Sequence, residues 1–427
     1  MRFNFNTAFA ALLGGVSLAS TTHAEEGCLE VERGSLVSCV LARSLDVSIQ
    51  STEVDARRGR KLAAGGWLPS NPVLSFSVAR RDPQGSGGAA TNWYATLEQE
   101  VEIAGQQVLR AKAAGYEMRA EQHRLRAIRR DVAALAWQVY FEALATHEGL
   151  ALARKLEHIQ TQIAEVATAR AQEGLNARVD ADLAHAAMVK ATQNRFDAER
   201  AKKLAVAWLH ILYGREPWGP QMEIKGQLKP LDAATKIAQR PPHESVVSRP
   251  TVAALRDEER GFATRASALR RARVPNPTVS LYAQDDGFDE KVFGVGLSVP
   301  ITLPSPVGKS FSGEAAEAES RSQQASLQAK SKQLSLKLEL YRALTDYRTR
   351  EQQVAAQSYG DTQRARRTFE AIAEEVRVGH MMPRDALNLQ KGLTEFLLND
   401  VSNRLLLALA SVRLAHAAGM PLEKGVQ

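Results

Sequence analysis

The sequence is poor in the residue types that most enzyme and metal sites need. Of its 427 residues, two are cysteines and 6% are aromatic. No partner histidine stands out for either Cys28 or Cys39, as thiol catalysis would require. The other histidines are scattered, and the chain has no P-loop, G-x-S-x-G, H-E-x-x-H or C-x-x-C motif. We therefore expect no enzyme activity, no metal site and no cofactor.

Long apolar runs and blocks of basic residues are also missing. After the N-terminus the most apolar stretch is LLLALA at residues 405–410, between Arg404 and Arg413. It is too short for a transmembrane helix, which needs about 20 residues. The chain has 55 Lys and Arg against 48 Asp and Glu, spread evenly, so we expect no nucleic-acid partner. If the chain crosses a membrane, it must do so with strands.

The N-terminus predicts export. Residues 1–24 combine Arg2, an apolar run from Ala8 to Ala19 and a small-x-Ala cleavage site, which is typical of a signal peptide. A buried N-terminal helix is the alternative. No lipobox cysteine follows, so we predict no lipid anchor. In an oxidising compartment Cys28 and Cys39 can form a local disulfide, although two free thiols remain an alternative.

The chain contains an internal duplication. Asn71-Pro72 recurs as Asn276-Pro277, 205 residues later, and three further landmarks keep that offset: Gly174 and Gly379, Asp180 and Asp385, Gly214 and Gly419. A common offset at four places indicates a repeat of about 200 residues. We predict a first repeat over residues 25–214, a connector over 215–241, a second repeat over 242–419 and a tail over 420–427.

Each repeat begins with a helix and a β-hairpin. The helices are predicted over residues 36–64 and 242–271. Strand residues 92–103 alternate between an apolar face, including Trp93 and Leu97, and a face with Glu98, Glu100 and Glu102. The acidic face lines a lumen if the apolar face meets lipid, and otherwise is a solvated sheet face. A soluble domain could use four such strands, but a membrane barrel needs about eight or more. To close a membrane barrel, two or three copies of the chain would therefore be required.

Two pairs of long helices follow the hairpins. Residues 106–172 contain no proline and have apolar residues three or four positions apart, which predicts one very long helix. Its partner is predicted over about 177–213, and the second pair over about 313–376 and 383–417. Residues 215–239, which contain proline and glycine, are predicted to have little regular structure.

Several segments resemble the outer membrane factor family, the TolC-like exit ducts. They are the stretch LPSNPVLSFS, the segment VPITLP at residues 299–304, and the turns EGLNARVDADL and VGHMMPRDAL. The resemblance covers essentially the whole mature chain and is closest to the heavy-metal (cobalt–zinc–cadmium) branch. Two departures are Met381-Met382-Pro383, where the family usually has a small polar residue, and the absence of a lipidated cysteine.

This resemblance implies an α+β, mostly α, fold of duplicated β-hairpins and long helical hairpins. It implies a homotrimer whose twelve strands form a barrel in outer-membrane lipid and whose helices form a periplasmic barrel. The tips would dock on a periplasmic adaptor (membrane fusion) protein that joins an inner-membrane resistance–nodulation–division pump. The expected function is a passive efflux duct for metal cations or small toxic compounds.

The tip residues have two interpretations. Gly174 and Gly379 can close a helix, and Asp180 and Asp385 suit the first turn of the next, so all four could serve only the turns. They could equally be the adaptor contact. Acidic residues here would form rings of three in a trimer, which makes Glu374, Glu375 and Asp385 candidates for a gate or selectivity filter. Alternatively, these three residues lie on an ordinary solvated helix face.

The sequence alone leaves other functions open. His380-Met381-Met382 could contact a soft metal ion, although paired methionines more often pack. A periplasmic adaptor also has a long helical hairpin, but it has one, flanked by β-rich domains. A soluble periplasmic coiled-coil scaffold would leave the apolar strand faces without a partner.

Overall fold

The computed structural model describes residues 28, 30–82, 88–175, 177–219, 222–239, 249–285, 290–303, 307–308 and 310–422. The predicted signal peptide, residues 242–248 of the predicted second-repeat helix, the centres of both hairpin loops and the end of the tail lie outside these residues. The elements in order are β1 (Glu30–Val31), α1 (Leu36–Arg43), α2 (Leu45–Ala64), β2 (Val73–Arg81), β3 (Ala90–Glu100), α3 (Gln106–Gln172), α4 (Arg178–Leu212), β4 (Glu223–Ile224), α5 (Asp232–Gln239), α6 (Pro250–Arg271), β5 (Thr278–Asp285), β6 (Lys291–Ser298), α7 (Ser312–Ala355), α8 (Tyr359–Arg377) and α9 (Pro383–Ala418).

The long helices follow the predicted pattern with two corrections. Helix α3 is continuous over 67 residues. The predicted helix over 313–376 is instead divided into α7 and α8, because Ser358 and Asp361 form a capping box that starts a new helix. The predicted helix over 36–64 is divided at Ser44, whose hydroxyl accepts a hydrogen bond from the Val47 amide at 3.4 Å. Both divisions are made by a serine that satisfies free amides of the following turn.

The four-stranded sheet joins the two repeats. Its order is β2-β3-β5-β6, with all neighbours antiparallel. The pairing of β3 with β5 connects the two hairpins and places Leu97 opposite Leu281, which in turn lies opposite Val295. Because side chains alternate along each strand, this register collects the predicted apolar positions on one face. The fold class predicted from the sequence, a mostly helical chain with duplicated hairpins, is confirmed.

The connector is more ordered than the sequence suggests. The prediction of little regular structure over 215–239 is wrong, because β4 pairs in parallel with β1 and α5 follows it. The Leu231 amide donates to the Ser411 hydroxyl at 2.9 Å, and Arg348 donates to the Ala238 carbonyl at 2.8 Å. These bonds tie the connector to α7 and α9. The short amphipathic helix is stabilised by this packing, since eight residues form no stable helix alone.

A disulfide fixes the start of the described chain. Cys28 and Cys39 are bonded, with Cα atoms 5.9 Å apart, and both are buried. The bridge holds β1 beside α1, and Arg33 donates to the Pro230 carbonyl at 3.0 Å. The N-terminal segment is therefore attached to the connector by a strand pairing and a side-chain hydrogen bond.

The main apolar core lies halfway along the helices. Trp137, Tyr140 and Phe141 of α3 are fully buried there and contact one another, with ring centroids 5.5–5.8 Å apart. The Tyr140 hydroxyl donates to the Lys225 carbonyl at 2.8 Å, so the core includes the connector backbone. A second cluster near the far helix ends contains Ile163 and Phe369. The two clusters hold α3 against the helices of both repeats.

An ionic cluster lies beside this core where α9 ends. His416 Nε2 is 2.7 Å from Asp131 Oδ1 of α3, and its Nδ1 is 3.7 Å from Glu339 Oε1 of α7. The hydrogen bond with Asp131, followed by the ion-pair contact with Glu339, raises the pKa of His416. Arg249 is buried nearby and donates to the Ala417 carbonyl, and desolvation lowers its pKa. The cluster connects the end of α9 and the start of α6 to the middle of α3 and of α7.

Candidate functional site

The sheet exposes a broad apolar face. Phe76 of β2 and Phe293 of β6 are 66% and 76% exposed. They share this face with exposed side chains from all four strands: Leu74, Val78, Leu97, Leu281, Val295 and Leu297. A soluble sheet buries its apolar face against a second layer, whereas here this face lies on the surface of the chain. The arrangement suits contact with an apolar solvent or with another molecule.

The other face of the sheet is polar or small. Tyr94, Thr96 and Glu98 of β3 lie on it, with Ser280 and Tyr282 in the neighbouring register positions of β5. Gly294 and Gly296 occupy the next positions on β6. The rings of Tyr94 and Tyr282 are 6.2 Å apart between centroids. This face could line an aqueous space, with Glu98 exposed on it.

The predicted acidic strand face is shorter than expected. Strand β3 ends at Glu100, whose carboxylate accepts a hydrogen bond from Asn276 at 2.7 Å. Glu102 lies beyond the strand, its side chain is only 5% exposed, and it forms an ion pair with Arg110. The prediction that Glu102 lies on the strand is therefore wrong, because the chain must leave the sheet to enter α3. The turn requires Gly105, whose φ is +69°.

The strand-to-helix junction holds a polar network that sequence reasoning missed. Gln106 is buried and donates to the Asn276 amide oxygen at 3.0 Å, and its own oxygen accepts from the Ala104 amide at 3.2 Å. The Asn-Pro repeat marked Asn276, but the sequence analysis did not single out Gln106. Its position directly after Gly105 at a helix start was the available indication. The network joins the junctions of the two repeats.

Both helix tips are closed by glycine. Gly174 has φ +76° and Gly379 has φ +89°, a left-handed conformation that favours glycine. Asp180 and Asp385 lie in the first turns of α4 and α9, as predicted. Arg170 of α3 donates to the Arg377 carbonyl of α8 at 3.5 Å, so the two tips are neighbours. Among the described residues, Asp180 and Asp385 have no ion-pair partner.

The two glutamates near the second tip are paired within the chain. Glu374 binds Arg377 through contacts of 2.5 and 2.8 Å, and the hydrogen bond from Arg377 lowers the pKa of Glu374. Glu375 lies 3.1 Å from His380 Nδ1. Met381 packs against the apolar cluster near the tip while Met382 is exposed, so the two sulfurs do not share an environment. Over the described part of the chain, no group of three His, Cys, Asp or Glu side chains could hold a metal ion.

The sheet and the tips are far apart. Helix α3 starts next to the sheet and ends at the first tip, and its 67 residues span roughly 100 Å. Across the described ranges, no helix is long and apolar enough to cross a membrane. The candidate site therefore consists of two surfaces at the ends of long helices, one on the sheet and one at the tips.

Comparison with known proteins gives a structural match only. No family model matches the sequence, and no curated protein matches it significantly. The open-state outer membrane channel MtrE of Neisseria gonorrhoeae is 16% identical with a TM-score of 0.74, covering 92% of this chain and 90% of that one. The Campylobacter jejuni outer membrane channel CmeC is 14% identical with a TM-score of 0.73, covering 97% and 94%.

The Vibrio cholerae outer membrane protein VceC is a third similar structure. It is 16% identical with a TM-score of 0.73, covering 91% of this chain and 96% of that one. The likeness therefore extends over nine-tenths or more of each of these chains. The resemblance to the outer membrane factor family inferred from the sequence is confirmed for the fold.

Proposed function

We propose that this protein is the outer-membrane duct of a tripartite efflux pump, a passive channel without catalysis. The observation that carries the proposal is the one-sided sheet, with an exposed apolar face and two open edges, at the end of two long helical hairpins. A predicted signal peptide over residues 1–24 would export the chain. The fold shared with outer membrane channels supports the same location.

The proposal requires three copies. Strands β2 and β6 are the outer strands of the sheet, and among the described strands β2 pairs only with β3 and β6 only with β5. Four strands cannot enclose a pore. Two copies would supply eight strands, a barrel just wide enough inside for side chains to fill, whereas three copies supply twelve strands. In such a homotrimer the face with Phe76 and Phe293 meets outer-membrane lipid, and Glu98 and Glu100 face the lumen. The helices then extend the lumen through the periplasm.

The helix tips are the proposed contact with the rest of the pump. Gly174, Asp180, Gly379 and Asp385 would lie at the periplasmic end, where an adaptor joins the duct to an inner-membrane resistance–nodulation–division pump. Of the three proposed gate residues, Glu374 and Glu375 are already paired with Arg377 and His380, so Asp385 would contribute most of their negative charge. A ring of three such carboxylates favours cations.

The cargo is proposed as metal cations or other small toxic compounds. A susceptibility panel on a deletion strain, complemented with the wild-type gene, separates these classes. Sensitivity confined to metals supports the heavy-metal assignment. Sensitivity to apolar drugs instead identifies a multidrug duct and removes the metal assignment.

The channel itself is tested with the purified protein in detergent. Native mass spectrometry should give a trimer, and planar bilayers should show cation-selective conductance. Asp385→Asn should lower the cation preference more than Glu374→Gln, its matched control at the same tip. A monomer that stays soluble without detergent and does not conduct would instead indicate an adaptor or a soluble coiled-coil scaffold.

A further inference from the structure

A cleft of about 620 Å³ lies at the junction between the sheet and the helices. It is bounded by the end of β3, the start of α3, the last turns of α6 and the segment between β6 and α7. With the sheet in the outer membrane, as proposed above, this junction is level with the lipid headgroups of the periplasmic leaflet. The passage of cargo through the duct gives this cleft no role.

One wall of the cleft is apolar. It is formed by side chains from the end of α6 and from the segment that links β6 to α7: Leu269, Val274, Ile301, Leu303 and Phe311. Ile301 is 86% exposed and continues in the sequence the odd-numbered apolar series of β6, which includes Val295 and Leu297. An acyl chain that lies on the apolar face of the sheet can therefore reach this wall.

A buried carboxylate oxygen at the cleft lacks a donor. Glu102 lines the cleft, and its side chain is 5% exposed. Its Oε1 pairs with Arg110, whereas its Oε2 has no hydrogen-bond partner among the described residues. A buried acceptor without a donor lowers stability, so a ligand that donates a hydrogen bond to Oε2 would remove this cost.

A guanidinium group in the same cleft also lacks a partner. Arg265 of α6 lines the cleft, is exposed, and forms no ion pair within the part of the chain that the structure describes. Glu100, the second carboxylate of the lining, already accepts a hydrogen bond from Asn276 at 2.7 Å. Arg265 is therefore available for an anionic group, and a guanidinium is well suited to a phosphate.

The charges of the lining balance. Glu100 and Glu102 are negative, and Arg110 and Arg265 are positive. A metal cation in the cleft would meet two guanidinium groups, and a simple anion would meet two carboxylates. A ligand that carries both an ammonium group and a phosphate group can pair with both signs of charge.

We propose that this cleft binds the headgroup of a zwitterionic phospholipid with a primary amine, from the periplasmic leaflet. The ammonium group donates to Glu102 Oε2, the phosphate accepts from Arg265, and the acyl chains extend along Ile301 towards the apolar sheet face. The source of the lipid rests on the proposed function, whereas the cleft lies within one chain. A bound lipid would join β3, α3, α6 and α7 at the level where strands give way to helices.

Lipid titration of the full-length, detergent-purified protein tests the site by native mass spectrometry. The probes are phosphatidylethanolamine, phosphatidylcholine and phosphatidylglycerol with the same acyl chains. The quaternary ammonium of phosphatidylcholine cannot donate a hydrogen bond, and phosphatidylglycerol has no ammonium group. Phosphatidylethanolamine should bind at least about tenfold more tightly than either, as expected for one hydrogen bond to a charged group. Equal affinities for the three lipids would overturn the proposal.

Two variants test the residues of the cleft. Glu102→Gln should remove the preference for phosphatidylethanolamine over phosphatidylcholine. Arg265→Gln changes an exposed side chain and should weaken binding of all three lipids several-fold, because all three contain a phosphate. The matched control Arg256→Gln removes an exposed arginine of α6 that does not line the cleft, and it should bind as the wild type does. Equal losses in Arg256→Gln and Arg265→Gln would indicate general attraction by surface charge and overturn the site.

The isolated headgroup tests the part played by the apolar wall. Glycerophosphoethanolamine has the same ammonium and phosphate groups without acyl chains, so it should compete only at concentrations far above those of the lipid. Competition as strong as that of the intact lipid would identify a site for a soluble zwitterion and overturn the lipid assignment.

Oligomeric state and conductance of the same samples separate this inference from the proposed function. A conducting trimer that binds the three lipids equally would overturn the lipid site and leave the duct intact. A monomer that does not conduct but still prefers phosphatidylethanolamine would overturn the duct and support the headgroup site.

Discussion

The close approach between Gly226 and Tyr140 makes the connector sensitive to a single methyl group. Gly226 has φ +146°, and a Cβ atom there would lie 1.9 Å from the Tyr140 hydroxyl. Tyr140 is fully buried and donates to the Lys225 carbonyl, so its ring cannot move without breaking that bond. Gly226→Ala should therefore release the connector from the main core.

The magnitude follows from two contributions. A non-glycine residue in this backbone conformation costs about 1–3 kcal/mol. Displacing the hydroxyl leaves the buried Tyr140 side chain without its acceptor, which costs about 1–3 kcal/mol more. Local stability should fall by about 2–6 kcal/mol, which corresponds to at least about 30-fold faster opening. Tyr140→Phe alone should cost only about 1 kcal/mol, because it removes the hydrogen bond without a clash.

Hydrogen exchange of the detergent-solubilised protein measures this opening. Amides of residues 222–239 should exchange faster in Gly226→Ala, while those of α8 near the tip should be unchanged. The double variant with Tyr140→Phe removes the atom that clashes. It should be less destabilised than the sum of the single variants by about 1–3 kcal/mol.

Two results would refute this reasoning. The first is wild-type exchange over residues 222–239 in Gly226→Ala, which would mean that the connector does not depend on this contact. The second is strict additivity in the double variant, which would mean that the hydroxyl and the new methyl group do not meet.

Three further predictions concern the helix ends and the sheet. The carboxylates of Asp131 and Glu339 raise the pKa of His416. The stability that protonated His416 contributes to the fold is therefore complete below the ordinary pKa of 6.5, and it is lost as pH rises through the raised pKa. Thermal stability should decline as pH rises above 6.5 through the raised pKa of His416, and His416→Asn should remove that part of the decline. In denaturant titrations, Gly379→Ala should lower stability by about 1–2 kcal/mol and Gly174→Ala by about 1 kcal/mol. The reason is that a Cβ at Gly379 lies 3.0 Å from Arg170, whereas nothing lies within 4 Å at Gly174; equal losses would contradict it. Leu281→Arg should cost about 2–4 kcal/mol of stability in lipid vesicles, while Ser280→Arg on the other sheet face should cost little. Equal costs would contradict the assignment of the faces.

Some elements were visible in the sequence because their causes are local. The proline-free run over residues 106–172 and the alternation along β3 depend on residues only two to four positions apart. The division of the second long helix was also readable, since Ser358 and Asp361 have capping-box spacing. We nevertheless predicted one continuous helix, because apolar residues recur every three or four positions on both sides of this capping box.

The connector and Glu102 show where local patterns fail. Helix α5 forms because α7 and α9 bury one side of it, and no residue within the segment shows that contact. Glu102 continues the strand alternation, yet it pairs with Arg110 after the chain has turned at Gly105. In both cases packing against a distant part of the chain overrides the local pattern.

The sequence by itself determined the duplicated plan, the long helices, the apolar strand faces and the glycine-closed tips, because period and turn chemistry act between near neighbours. Only the tertiary structure decided the pairing of β3 with β5 and the Gln106–Asn276 network. These depend on contacts between residues more than a hundred positions apart, and their geometry is set by the packing of whole helices and strands.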